Sequence, residues 1–205
     1  MKLYYSPGAC SLAVHIAARE AGLPLTLEKV DLANRKTETG ADYLALNPKG
    51  YVPALALDDG EVLTEAAALL LFVADRKPEA GLAPAHGTME RHRLHEWLVF
   101  ISSEIHKGFA PLWNPATPDS VRQATKDKLA QRFAYLDKVL AAQSFLTGRQ
   151  FTVVDAYLFT VVNWANYHAV DLKPFSHLRA FLDRVATRPK VQEALAAEGL
   201  LKQAA

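Results

Sequence analysis

The chain has 205 residues, half of them hydrophobic and 22% charged, which is the composition of a folded globular protein rather than a disordered one. With 23 basic and 22 acidic residues the formal net charge is +1, and the basic residues are dispersed, so neither nucleic acid nor an anionic membrane is an expected partner. One cysteine admits no internal disulfide, no signal-peptide pattern opens the chain, and no uncharged apolar run reaches the roughly 18 residues that a bilayer requires, so the cytoplasm is the expected location.

In chain order, "KLYYS" reads as a short strand stopped by Pro7-Gly8. "CSLAVHIAAREAG" follows with Leu12, Ala13, Ile16, Ala17 and Ala18 at helical spacing, and Gly22 as its C-terminal stop. "LTLEKVDL" is a second strand, and a polar loop is expected through "ANRKTETGADY". "VPALALDDGEVL" predicts a hairpin turning at Asp59-Gly60. "TEAAALLLFVADR" predicts a buried helix with Thr64 as its cap. The Pro/Gly-rich segment 77–87 then separates this α/β part from a stretch that reads as helices only, at 88–110, 118–142, 153–170, 176–187 and 189–197. The expected organisation is a domain over 1–80 with a mixed four-stranded sheet, a linker over 81–87 and an all-helical domain over 88–205.

Five places carry chemistry. Cys10 sits where a strand hands over to a helix, so unpaired N–H groups and the positive helix end would favour its thiolate. The alternative for Cys10 is a small apolar filler beneath the sheet. Its neighbours Ser11-Leu12-Ala13 supply no resolving cysteine, so a second sulfur for any redox or conjugation step must come from outside the chain. Val52-Pro53 opens a strand, where a cis bond is expected and would turn the Val52 backbone outward to pair with an extended peptide; a plain strand-opening proline is the other reading.

In "LTEAAALLL", the Glu65 carboxylate suits an ammonium, and the free N–H groups near Ala66 suit a carboxylate. Glu65 equally fits the commoner task of complementing the helix dipole. In "WLVFISSEIHKGFAPLW", Val99, Ser103 and His106 share one helix face, and the pair His106-Lys107 offers a hydrogen bond or a proton to a sulfur. An isolated helix histidine is more often a surface or core residue. Thr152 and Asp155 form a capping box with a structural task. His92 and His95 have no accompanying ligand cluster, so no metal is expected.

Taken together, "KLYYSPGACSLAVHI", "NPKGYVPAL", "LTE", "EIHKGF" and "FTVVDAYLF" resemble the cytosolic glutathione transferases, and closely the bacterial beta class, in order and spacing over nearly the whole chain. The resemblance implies a thioredoxin-like domain followed by a helical one, a homodimer, and glutathione as co-substrate. It implies that Cys10 adjoins the glutathione sulfur, with His106 and Lys107 close to that sulfur. Val52, before Pro53, would pair with the cysteinyl unit, and Glu65 with the Ala66 N–H would hold the γ-glutamyl end. Arg35, where related sequences have lysine, would meet the glycyl carboxylate, and Ser103 and Glu104 would add contacts. Val99 replaces a frequent asparagine, which removes one polar contact.

The implied activity is conjugation of glutathione to small hydrophobic electrophiles, seated in an apolar cleft lined by Phe109, Trp113, Tyr157 and Trp164. A Cys10-dependent thiol transferase, peroxidase or reductive dehalogenase is the enzymatic alternative. A catalytically silent binding dimer is the non-enzymatic one.

Overall fold

The computed structural model describes residues 1–201. It divides into two compact units, one formed by Met1–Ala83 together with the segment that begins at Thr187, the other by Pro84–Ala186.

In the first unit, β1 (Lys2–Tyr5), α1 (Ser11–Glu20) and β2 (Thr26–Asp31) make a β-α-β crossover. The helix gives the chain length to return, so β1 and β2 run parallel with Lys2 opposite Thr26. Gly22 at φ +66° ends α1, where the Leu23 N–H bonds back to the Ala18 carbonyl. Next come β3 (Lys36–Thr37), α2 (Tyr43–Leu46), the antiparallel hairpin β4 (Ala54–Ala56) and β5 (Val62–Thr64), then α3 (Ala66–Arg76) and a 3-10 turn at Pro78–Ala80.

The sheet order is β3-β2-β1-β4-β5. Alternation along β1 sorts its two faces. Leu3 and its partner Leu55 are fully buried, while Tyr4 and Ala54 on the opposite face join Val30, Tyr43 and Val52 in one apolar cluster. α1 packs against α3, and every residue from Ser11 to Ala18 is buried.

The sheet therefore has five strands where four were expected. β3 lies inside the stretch read as polar loop; its pairs Val30 with Thr37 and Asp31 with Lys36 are too few to write an apolar alternation. α2 begins at the last residue of that stretch, capped by Asp42, whose side chain accepts from the Leu44 N–H. The N-cap position of α3 is Glu65, with no side-chain cap bond, rather than Thr64, which ends β5.

In the second unit, α4 (Met89–Phe100) begins at Thr88, whose hydroxyl accepts from the Arg91 N–H. The predicted helix over 88–110 is not one helix. After Phe100 it widens into a π-helical turn at Ile101–His106, tightens into a 3-10 turn at Lys107–Phe109, and ends as α5 (Ala110–Trp113). α6 (Asp119–Leu140), α7 (Val153–Val162), α8 (Trp164–Tyr167) and α9 (Ser176–Ala186) complete the unit. All ten residues of α7 are buried, which is why its sequence is apolar nearly all round. The segment predicted as one helix over 153–170 is split at Asn163, whose side chain donates to the Phe159 carbonyl.

The last helix, α10 (Pro189–Ala197), packs against α1 of the first unit. Arg188 grips Glu20 through two bonds, and Glu198 reaches the Gly8 N–H at 3.0 Å. The C-terminal segment thus groups with the α/β unit, not with the helices that precede it.

Candidate active site

Cys10 is the residue before α1, as its position predicts, but its thiol is not exposed: it is 8% accessible and donates to the Val52 carbonyl at 3.2 Å. The Val52-Pro53 bond is cis. The burial of the thiol runs against the expectation of a thiolate at this helix end. Burial dominates and pushes the thiol up to about 12, against the N–H groups of Cys10 and Ser11, which pull it down; the negative charge of Glu65 raises it further. A helix N-terminus lowers a thiol pKa and apolar burial raises it; here burial is the larger effect.

The segment 49–52 gathers the other residues that the sequence singles out in the first unit. Lys49 Nζ bonds Glu65 Oε1 at 2.7 Å and Thr64 Oγ1 at 3.0 Å. The Gly50 carbonyl accepts from Arg35 Nη1. The Tyr51 carbonyl accepts from the Tyr43 hydroxyl and from Asn47 Nδ2, each at 2.7 Å. The Val52 carbonyl accepts from Cys10. Four consecutive residues thereby connect Arg35, Cys10 and Glu65, which lie far apart in sequence.

Gly50 is required there: it sits at φ +68°, and a Cβ would come within 3.1 Å of Leu44 and 3.3 Å of Arg35. Lys49 was not singled out by the sequence, although it stands within "NPKGYVPAL"; nothing local shows that it meets Glu65.

Glu65 holds φ 72° and ψ 115°, a conformation rare for a residue with a Cβ. Such outliers concentrate where a backbone must present a group to a ligand. Ala66 is the first residue of α3, so N–H groups without intrahelical acceptors directly follow Glu65 in the chain. A helix start suited to an anion therefore adjoins a residue that carries a carboxylate.

In the second unit, His106 Nδ1 lies 2.7 Å from the Tyr157 hydroxyl oxygen, and the His106 ring stands edge-on to Trp164 at 4.9 Å. Lys107 is exposed. Ser103 donates to the Val99 carbonyl, and Glu104 is held by Arg132 at 2.8 Å with Lys128 at 4.0 Å, so both are engaged inside the unit.

The four expected cleft residues divide. Phe109 is fully buried against Phe133 and Trp164, and is core. Tyr157 is 1% accessible, with its hydroxyl on His106, and is not a wall residue either. Trp164 is largely covered, whereas Trp113 is 48% exposed and stacks on Tyr167. The aromatic pattern on these helices records packing first, because a large ring contributes the same apolar signal whether it faces core or ligand.

Among the described residues, no group of three or more His, Cys, Asp or Glu side chains is placed to hold a metal ion. His95 Nε2 accepts from Arg91 Nε at 3.0 Å, which engages one of its two ring nitrogens. Among the described residues, no helix is long and apolar enough to cross a membrane.

The sequence profile described as "Glutathione S-transferase, N-terminal domain" matches residues 8–76, and "Glutathione S-transferase, C-terminal domain" matches residues 100–189. The chain belongs to the glutathione S-transferases. It is 46% identical to glutathione S-transferase GstA of Escherichia coli O157:H7 over 200 residues, covering 98% of this chain and 100% of that one. Two solved structures are each 49% identical at a TM-score of 0.95, over 98% of this chain and 100% of theirs. One is a sphingomonad glutathione S-transferase complexed with glutathione, the other the bacterial beta-class glutathione S-transferase of Sphingomonas chungbukensis. This chain resembles both in fold and sequence.

Proposed function

We propose that the protein is a beta-class glutathione transferase that joins the glutathione sulfur to small hydrophobic electrophiles. One observation supports this above the others: the segment 49–52 draws Cys10, Arg35 and the Lys49–Glu65 pair onto one short stretch of backbone. Glutathione is an extended tripeptide with a zwitterionic γ-glutamyl end and a glycyl carboxylate at the other. The Glu65 carboxylate suits the ammonium, and the N–H groups at the start of α3, with Ala66, suit the adjoining carboxylate. Arg35 suits the glycyl carboxylate, in a bidentate pair that a lysine does not make. The Val52 backbone suits the cysteinyl unit.

In this proposal Cys10 acts as a neutral thiol. Its S–H turns from the Val52 carbonyl to the glutathione sulfur and stabilises that sulfur as an anion. The glutathione thiol proton leaves to solvent, the thiolate attacks the electrophilic carbon, and the leaving group departs with the bonding pair. A mixed-disulfide route needs a Cys10 thiolate, which burial opposes. His106 is proposed to donate a hydrogen bond to the same sulfur, with Lys107 adding positive charge; the family resemblance supports both roles. A homodimer and a cytoplasmic location belong to the same proposal, the second fitting a single free thiol.

Calorimetric titration with glutathione and a conjugation assay with an aryl halide test it. Binding with turnover, retained in Cys10→Ser, is the expected result. Absence of glutathione binding overturns the proposal, and a glutathione adduct on Cys10 that is required for turnover returns the mixed-disulfide route. Sedimentation at micromolar concentration tests the dimer.

A further inference from the structure

We infer that the Tyr157 hydroxyl fixes the proton of His106 on Nε2, so that His106 meets an anionic sulfur as a hydrogen-bond donor and is not the base that takes the thiol proton. The inference rests on the role proposed above for His106.

Tyr157 is held more firmly than its partner. It lies on α7, where every residue is buried. The helix start is fastened by Asp155, whose carboxylate accepts from the Thr152 N–H at 2.8 Å and from the Leu146 N–H at 2.9 Å. The phenol oxygen then stands 2.7 Å from His106 Nδ1, with the two rings at 89°. Trp164 also meets the imidazole edge-on, at 76°. These contacts fix the orientation of the imidazole.

The direction of the bond follows from the two groups. A neutral imidazole carries its proton on one nitrogen and accepts on the other. A phenol O–H is a stronger donor than an imidazole N–H, and an imidazole nitrogen is a stronger acceptor than a phenol oxygen. The bond therefore runs from Tyr157 O–H to Nδ1, and Nε2 keeps the hydrogen.

The π-helical turn at Ile101–His106 contributes the placement. Its wider winding changes the angle at which His106 leaves the axis relative to an uninterrupted α-helix, and such turns occur often at functional sites. Tyr157 is thus a positioning residue. It acts 51 residues away in sequence, through a bond that neither residue announces by itself.

Nitrogen-15 spectra of the histidine-labelled, ligand-free protein test the assignment directly. A pyridine-type Nδ1 and a pyrrole-type Nε2 for His106 are expected, with mixed tautomers in Tyr157→Phe. The reverse pattern in the parent overturns the inference. In the conjugation assay, Tyr157→Phe is expected to lose about tenfold in kcat, the loss of one hydrogen bond, and to lose nothing further in a His106→Ala background. Equal losses in both backgrounds show a merely structural role and overturn the inference. Full activity of His106→Ala refutes the role proposed for His106, while the nitrogen spectra still decide the tautomer.

Discussion

His15 and Glu198 stand 183 positions apart in the chain, yet His15 Nδ1 lies 2.9 Å from Glu198 Oε1, both side chains removed from solvent. The bonds around them form a line. Arg19 Nε donates to His15 Nε2 at 2.8 Å, and a guanidinium never accepts, so the imidazole proton is on Nδ1 and is donated to Glu198. The other Glu198 oxygen accepts from the Gly8 N–H, in the turn that leads to Cys10. A carboxylate at the end of the chain thereby steadies the turn that presents the thiol.

Glu198→Ala takes the acceptor from the buried His15 Nδ1–H and removes the bond from the part-buried Gly8 N–H. A loss of about 3 kcal/mol is expected, seen by scanning calorimetry as a fall of about 9 °C in Tm. An unchanged Tm contradicts the account of this contact.

The buried Cys10 thiol gives a pH-dependent outcome. The unfolded chain releases the proton near 9.0 and the folded protein near about 12. Between those values the unfolded state binds fewer protons, so folding stability falls as pH rises through that window and is unaffected by this group below it. Iodoacetamide at pH 8 is expected to alkylate the folded, ligand-free protein at least about tenfold more slowly than the urea-unfolded chain. Equal rates, followed by intact mass, show that burial does not control the thiol.

Glu65 separates binding from stability. Its pair with Lys49 is exposed, the two side chains being 68% and 52% accessible, so Glu65→Gln is expected to change stability by less than about 1 kcal/mol. The same change removes the charge offered to the γ-glutamyl ammonium, and glutathione affinity is expected to drop about tenfold by calorimetric titration. Unchanged affinity removes Glu65 from the binding proposal.

Asp155 makes the opposite case. It is fully buried and accepts from the Thr152 N–H, the Thr152 hydroxyl and the Leu146 N–H. Asp155→Ala is expected to lower stability by about 3 kcal/mol, read as an earlier urea midpoint. Asp155→Asn, which keeps one accepting oxygen, is expected to lose less.

Much of this was legible in the residues. The capping box at Thr152 and Asp155, the stop at Gly22 and the turn at Asp59-Gly60 are written within a few positions, because each depends on local backbone geometry. The strand-to-helix setting of Cys10 was visible for the same reason. β3 was not, since two paired residues carry no period. The burial of Phe109 and Tyr157 is not legible either, since apolar character does not say which side of a helix meets a ligand.

The sequence by itself determined most of the longer elements and their order, the succession of an α/β part and a helical part, and which motifs deserved chemical attention. Only the tertiary structure decided that Cys10 is buried against the Val52 carbonyl, that Lys49 meets Glu65, that Tyr157 meets His106 and that Glu198 closes on His15. Turns and caps are settled by neighbours along the chain, whereas protonation and burial depend on what distant segments bring within a few ångströms, where exclusion of water changes the energy of every charge.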